Sequence, residues 1–225
     1  IKPVVRYLGA FISQNSSAEA NLRHRLSQAY GAFRSLKPFF RDRAISVKWR
    51  FRIYNQVIRP IVLYALGTED LTPAHCAKLD FLHFRVLRCI LGLHSAYYSH
   101  TQGRGVSNQA VVDKAWRRGY RHPTLSMAVS ASRLEHLGHL LRHQDSLDYE
   151  VCFGPAHTYR MLPPPFRVGR PRPHWIELAM TEAYDRIACL GPGSLRPTVR
   201  QLAHPFWAVV SSNRVWGLHG GSLPQ

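Results

Sequence analysis

The stretch that most constrains this chain is Lys48 to Tyr64, KWRFRIYNQVIRPIVLY. Set at about 100° per residue, the α-helical repeat, it puts Lys48, Arg52, Asn55 and Arg59 on one narrow face. Ile53, Tyr54, Val57 and Ile61 fall roughly opposite, with Trp49 and Phe51 on the flanks. A helix divided in this way has one side for a core and one for solvent or for an anion. Lys48, Arg52 and Arg59 are therefore expected to point outward. Arg50 lands near the apolar side, which places the first turn at an edge of the core. Pro60 has no N–H to give and is expected to kink or break the helix. Taken alone, such a basic face is most simply a solvated one; the rest of the chain has to give it meaning.

Helical signals flank it on both sides. Thr72-Pro73 reads as an N-cap with proline at the first helical position. Leu79, Leu82, Val86 and Ile90 make the stripe of the helix that follows, and Gly92 is its stop. Upstream, Ser16 and Glu19 spell a capping box for a helix to about Leu36. Leu22, Leu26, Ala29, Phe33 and Leu36 share its inner side, and Arg23 and Arg34 project from a flank. Pro38 and the charged run at 41–43 are expected to form a connector. In front of all this, Val4 to Ser13 alternates around Gly9, as a short hairpin or bent strand would. Beyond Gly92 come a polar loop (94–108), a short helix (107–115) and a longer one from Pro123 to about His143. An irregular stretch from Ser146 to Gly169 contains Pro163-Pro164-Pro165, a stiff linker, and residues 170–187 turn helical through Trp175, Leu178, Ala179 and Tyr184. The expected fold class is mainly α: a short N-terminal β-hairpin, a three-helix bundle, then further helices joined by irregular Pro-rich linkers. The expected divisions are 1–15 (hairpin), 16–92 (bundle), 93–145 (helical connector), 146–192 (basic linker and helix) and 193–225 (tail).

Charge narrows the partners. The chain of 225 residues carries 30 Lys+Arg against 13 Asp+Glu, a net +17, and 45% hydrophobic residues, enough for one large domain or two small ones. Arginine outnumbers lysine 25 to 5, which favours bidentate grip on phosphate. Residues 1–66 hold twelve basic side chains against two acidic ones, so a polyanion is expected there. Cys76, Cys89, Cys152 and Cys189 lie far apart with no C-x-x-C, as reduced thiols of an intracellular protein would. No run reaches the ~18 apolar residues of a spanning helix, and no signal peptide is legible. The chain opens on Ile1 and enters at once into a strand-like VVRYLGAFI, as a piece of something longer would.

Motifs of enzymes are missing. No G-x-x-x-x-G-K-[ST], G-x-S-x-G or H-E-x-x-H occurs. The adjacent acidic pair Glu69-Asp70 precedes the Thr-Pro cap and is expected to complement the helix dipole. His136, His139 and His143 share a half-face of one helix, with Cys152 nearby. Zinc accepts these ligand types, but a structural site usually supplies a tighter pair at a turn. They are read as surface or packing residues, with no metal site assigned.

Five segments in fixed order carry a resemblance: YLGAFIS at 7–13, KWRFRIYNQVIRPIVLY at 48–64 followed by LT at 71–72, LDFLHFRVLRCILG at 79–92, RLEHLGHLLRH at 133–143 and GRPRPHW at 169–175. Together they are similar to the C-terminal part of reverse transcriptases of LINE-type (non-LTR) retrotransposons, from Tyr7 to about Ile187. One departure is plain: where the family often carries a G-x-E-x-W-type run, this chain has ALGTED, without the tryptophan. The resemblance implies that Tyr7, Leu8 and Gly9 end the palm near the primer grip, that 16–92 is the helical thumb, and that the later motifs form the connector. It implies an RNA–DNA or DNA duplex as partner, met by Arg23, Arg34, Lys48, Arg52, Asn55 and Arg59. A second basic patch is Arg167, Arg170 and Arg172. No small-molecule substrate is implied. The Y/F-x-D-D carboxylates that hold magnesium in the family's palm are absent, so no cofactor is expected in this chain and palm and fingers would be partners supplied by the parent protein. The parent activity that the resemblance implies is RNA-directed DNA polymerisation, with an intracellular location that is nuclear if the parent element is active; this chain alone is expected to bind and not to catalyse. The competing reading is a free-standing basic helical protein for nucleic acid or an anionic surface.

Overall fold

The computed structural model describes residues 4–13, 18–94, 105–153 and 175–188. Strands β1 (Val4–Tyr7) and β2 (Ala10–Ser13) pair antiparallel, with Tyr7 opposite Ala10 and Val5 opposite Ile12. Helix α1 (Glu19–Arg41) follows, then α2 (Val47–Ile53), a π turn (Tyr54–Ile58) and α3 (Arg59–Leu63) in one continuous helical run. Helices α4 (Pro73–Leu91), α5 (Asn108–Arg117), α6 (Leu125–Arg142), α7 (Leu147–Phe153) and α8 (Trp175–Ala188) complete the order. The fold is mainly helical with a short antiparallel hairpin at its start. No described helix is long and apolar enough to cross a membrane.

The chain divides into two units, Ile1–Val129 and Ser130–Gln225. In the first, α1, the α2–α3 run and α4 close on Leu22, Phe33, Phe40, Tyr54, Ile58, Val62, Leu79, Leu82, Val86 and Ile90, all buried. The core also takes in Val111 and Ala115 of α5, Tyr120, and Leu125 and Val129 of α6. Helix α4 follows its sequence signals closely. Thr72 Oγ1 accepts the His75 N–H while His75 Nδ1 accepts the Thr72 N–H, and Gly92 ends the helix at φ 65°. His75 Nε2 then reaches Glu19 at 2.9 Å, fastening the start of α4 to the start of α1. Burial alone would raise the Glu19 carboxyl, but Lys78, Arg23 and His75 together hold it below its ordinary value.

Two expectations about helix ends need correction. Helix α1 runs through Pro38 to Arg41, where a connector was expected. Its last turn carries Phe40, fully buried and stacked 6.2 Å from Phe33. Burying a phenylalanine, worth about 1.5–3 kcal/mol, is of the same size as the interior-proline penalty of about 3 kcal/mol. At its other end the N-cap is Ala18, with no side-chain cap bond; Ser16 lies outside the described residues. Pro60, for its part, does not stop the second run. The turn before it opens to π geometry, with the Arg59 N–H donating to Tyr54 O, and α3 continues.

Among buried polar groups of the first unit, Tyr54 Oη and His83 Nδ1 share a 2.7 Å hydrogen bond. Burial, and then the charge of Arg59, pull His83 down to about 3, and burial carries Tyr120 up to about 12. His83 therefore stays neutral at physiological pH. In the second unit, Leu137, Leu140, Leu141, Tyr149, Trp175, Ile176, Ala179 and Met180 form a separate core. Arg133 there pairs with Glu182 at 2.8 Å, and Ser130 Oγ donates to the same carboxylate at 2.9 Å. Helix α7 falls in a stretch expected to be irregular; the proline linker at 163–165 lies outside the described residues.

Candidate nucleic-acid interface

The basic face survives only in the first two turns of the second helical run. Ser46 caps α2 by accepting the Trp49 N–H, and Lys48 and Arg52 then sit exposed one turn apart. Trp49 between them is 54% exposed, with the Arg52 guanidinium 5.0 Å from its ring centroid. On α1, Arg23 and Arg34 are exposed on its outer side; Arg23 pairs with Glu19 at 3.2 Å. Neither Lys48, Arg52 nor Arg34 meets a carboxylate among the described residues.

Further along, the expected face is broken. A π turn reaches back five residues for its hydrogen bonds instead of four, so it adds one residue and turns everything after it by roughly 100°. Within the turn Asn55 is half-buried, and Val57 is exposed while Ile58 takes its place in the core. Arg59 is only 6% exposed and does not point to solvent as the helical plot expects. Its Nη1 donates to Pro123 O at 2.7 Å and to Tyr120 Oη at 3.3 Å. With both donations made inside the core, Arg59 has no outward phosphate-binding geometry.

Arg59 belongs to a set that the sequence did not reveal. Arg25, Arg50, Arg59 and Arg88 are all buried in the first unit, and each donates to backbone carbonyls. Arg50 donates from Nη1 to Phe40 O at 3.0 Å and to Ile90 O at 2.8 Å, in the last turns of α1 and α4. A helix C-terminus presents unpaired carbonyls and partial negative charge, and one guanidinium here answers two of them. Arg88 reaches Val106 O and Asn108 Oδ1 at the start of α5.

The hairpin tip is the second component. Leu8 and Gly9 both take positive φ, 45° and 83°, as a type I′ turn requires. Leu8 is 75% exposed, and Tyr7 beside it is exposed as well. Both tip carbonyls are held from below: Tyr64 Oη donates to Leu8 O at 2.7 Å, and Arg25 Nη2 donates to Gly9 O. The Arg25 guanidinium lies 4.3 Å from the Tyr64 ring centroid. The tip is thus a fixed, solvent-facing loop with an apolar side chain in an unfavourable backbone conformation. Arg25 and Tyr64 hold it there, and no local pattern marks either residue for that task.

Other expected sites resolve differently. Glu69 lies outside the first turn of α4 and accepts from Asn21 Nδ2 at 3.0 Å; burial raises its carboxyl, and Asp70 adds to the rise against that hydrogen bond. Asn21 also donates to Ala65 O, so the ALGTED connector is pinned to α1. His136 packs on Trp175 at 5.2 Å, and the His139 and His143 rings are 4.5 Å apart. No group of three metal-ligating side chains converges among the described residues. Arg167, Arg170 and Arg172 lie outside the described residues. A further exposed aromatic–cation pair lies outside the expected sites: Arg121 stacks 3.8 Å over Trp116, beside exposed Arg117 and Arg118, and the WRRGYR run is its signal in the sequence. No family model, curated protein or solved structure matches the chain.

Proposed function

We propose that this chain is the thumb and post-thumb connector of a LINE-type reverse transcriptase, and that it binds a primer–template duplex through phosphates. The motif order in the sequence supports the family. The observation that carries the binding is the Lys48–Trp49–Arg52 group: two exposed cations one turn apart on a capped helix, with no carboxylate beside them among the described residues. Arg34, and Arg23 where it leaves Glu19, extend the positive surface on α1. The tip at Tyr7 and Leu8 serves as the primer-grip-like contact, an exposed apolar wedge held at a costly φ. Strained exposed residues of this kind cluster where a ligand is gripped.

Phosphate contacts release counterions, so affinity should fall steeply with salt. For roughly four contacts on a duplex the log–log slope is about −3.5, at about −0.9 per phosphate. Such contacts carry no base information, so scrambled duplexes should bind alike. The double variant Lys48→Gln/Arg52→Gln should lower the slope by about 1.8 while the fold persists. A folded double variant with the parent slope would show that the charge on α2 is only solvated.

A further inference from the structure

We infer that a groove on α4, walled by α1 and the start of α5, binds a short unpaired stretch of nucleic acid, with bases stacking on Phe81 and Phe84 and phosphates meeting Lys37, Arg41 and Arg85. This rests on the nucleic-acid reading above and goes beyond it, because a duplex keeps its bases stacked within itself. The groove encloses about 760 Å³, inside the range of roughly 300–1,000 Å³ that holds small ligands. Its floor is the outer side of α4. Phe81 stands there 62% exposed, with Phe84 half-buried on the next turn. The Arg88 guanidinium lies 5.9 Å from the Phe84 centroid, and Arg85, on the same helix, lies 5.7 Å from the ring of Tyr30 on α1.

The charge in the groove is one-sided. Lys37, Arg41 and Arg85 line it, and the one carboxylate in the lining is Asp80. Asp80 is occupied elsewhere, accepting the Ser126 N–H at 3.0 Å and the Ser126 Oγ–H at 2.5 Å. Arg88 is committed to Val106 O and Asn108. Four basic side chains against one carboxylate leave the lining net positive, and Lys37, Arg41 and Arg85 form no ion pair among the described residues, as a site for a polyanion requires. An acidic amphipathic peptide would meet the same charges. The exposed apolar group, however, is a flat aromatic ring on a floor lined by Lys37, Arg41 and Arg85, and bases stack on such a ring whatever their sequence.

The test is fluorescence anisotropy of a short dye-labelled oligothymidylate and of a blunt duplex, with the full chain. Phe81→Ala, an exposed position that should leave folding intact, is expected to weaken oligothymidylate binding about five- to hundredfold with an unchanged salt slope. Lys37→Gln/Arg85→Gln should lower the single-strand slope by about 1.4, at about 0.7 per phosphate. Neither variant should alter duplex binding, and the oligonucleotide should shield Cys89, which lines the groove, from iodoacetamide. Parent-like oligothymidylate affinity in Phe81→Ala would overturn the inference, as would shielding of Cys89 by an acidic leucine-rich peptide but not by the oligonucleotide. If the duplex fails to bind while Phe81-sensitive oligothymidylate binding persists, the phosphate-face reading fails and the groove stands. The reverse pattern removes the groove alone.

Discussion

Arg50 and Arg52 stand two positions apart in one helix and do unrelated work. Arg50 is buried, and its guanidinium answers the carbonyls of Phe40 and Ile90, at the ends of two helices. Removing it would leave two carbonyls desolvated and unpaired, at about 1–3 kcal/mol each for such groups. Arg52 is solvent-facing, with its guanidinium 5.0 Å from the Trp49 ring centroid. Arg50→Met should therefore cost about 2–4 kcal/mol in urea unfolding followed by circular dichroism, and Arg52→Gln less than about 0.5 kcal/mol. Equal midpoints for the two variants would mean that the carbonyls of α1 and α4 find water when Arg50 is gone. Arg50→Lys should recover only part of the loss, because an ammonium lacks the planar fork. Sequence position near the apolar side foretold that Arg50 sits at a core edge. It could not foretell the partners, which lie ten and forty residues away along the chain.

At the scale of elements, legibility follows how local the determining interactions are. Helix α4 is written in adjacent residues: a Thr-Pro cap, an apolar stripe and a glycine that ends at φ 65°. All of it could be read. The π turn at 54–58 has no such signature. Pro60 warns of a broken hydrogen-bond ladder, but whether the chain kinks, stops or widens a turn depends on which residues the core accepts. Here the core accepts Ile58 and Val62, and Arg59 goes inside with them. Helix α1 continues through Pro38 for a related reason, since Phe40 is worth burying. The hairpin shows the opposite balance. A left-handed conformation costs a residue with a Cβ about 1–2 kcal/mol, and Leu8 sits there exposed with no burial to offset it. Leu8→Asn, which suits the first position of such a turn, should raise stability by about 1 kcal/mol in thermal unfolding. On the reading of the tip as a grip, the same variant should weaken duplex binding severalfold at fixed salt. A gain in stability with unchanged affinity would reduce the tip to a loop that merely tolerates strain.

For the whole molecule, net charge overstates what is available to a polyanion. The first 66 residues hold twelve basic side chains, yet Arg25, Arg50 and Arg59 among them are buried on carbonyls. The expected number of phosphate contacts is set by the exposed remainder. Acidic side chains are likewise engaged within the fold. Nucleotidyl transfer with divalent ions needs carboxylates converging on the metals. The chain has 13 acidic residues and no Y/F-x-D-D. Of its adjacent pair, Glu69 accepts a hydrogen bond from Asn21 and is raised by burial, both unfavourable for a magnesium ligand. Asp80 is fastened to Ser126 and Glu182 to Arg133 and Ser130, so these carboxylates serve packing within their units. The purified chain should therefore extend no primer annealed to an RNA template with Mg²⁺ or Mn²⁺, while still retarding that primer–template in a gel. Retardation without extension is the result that the proposed thumb role predicts. Template-dependent extension above a buffer control would require a carboxylate site elsewhere in the chain and would overturn the proposal that this chain binds a primer–template without extending it.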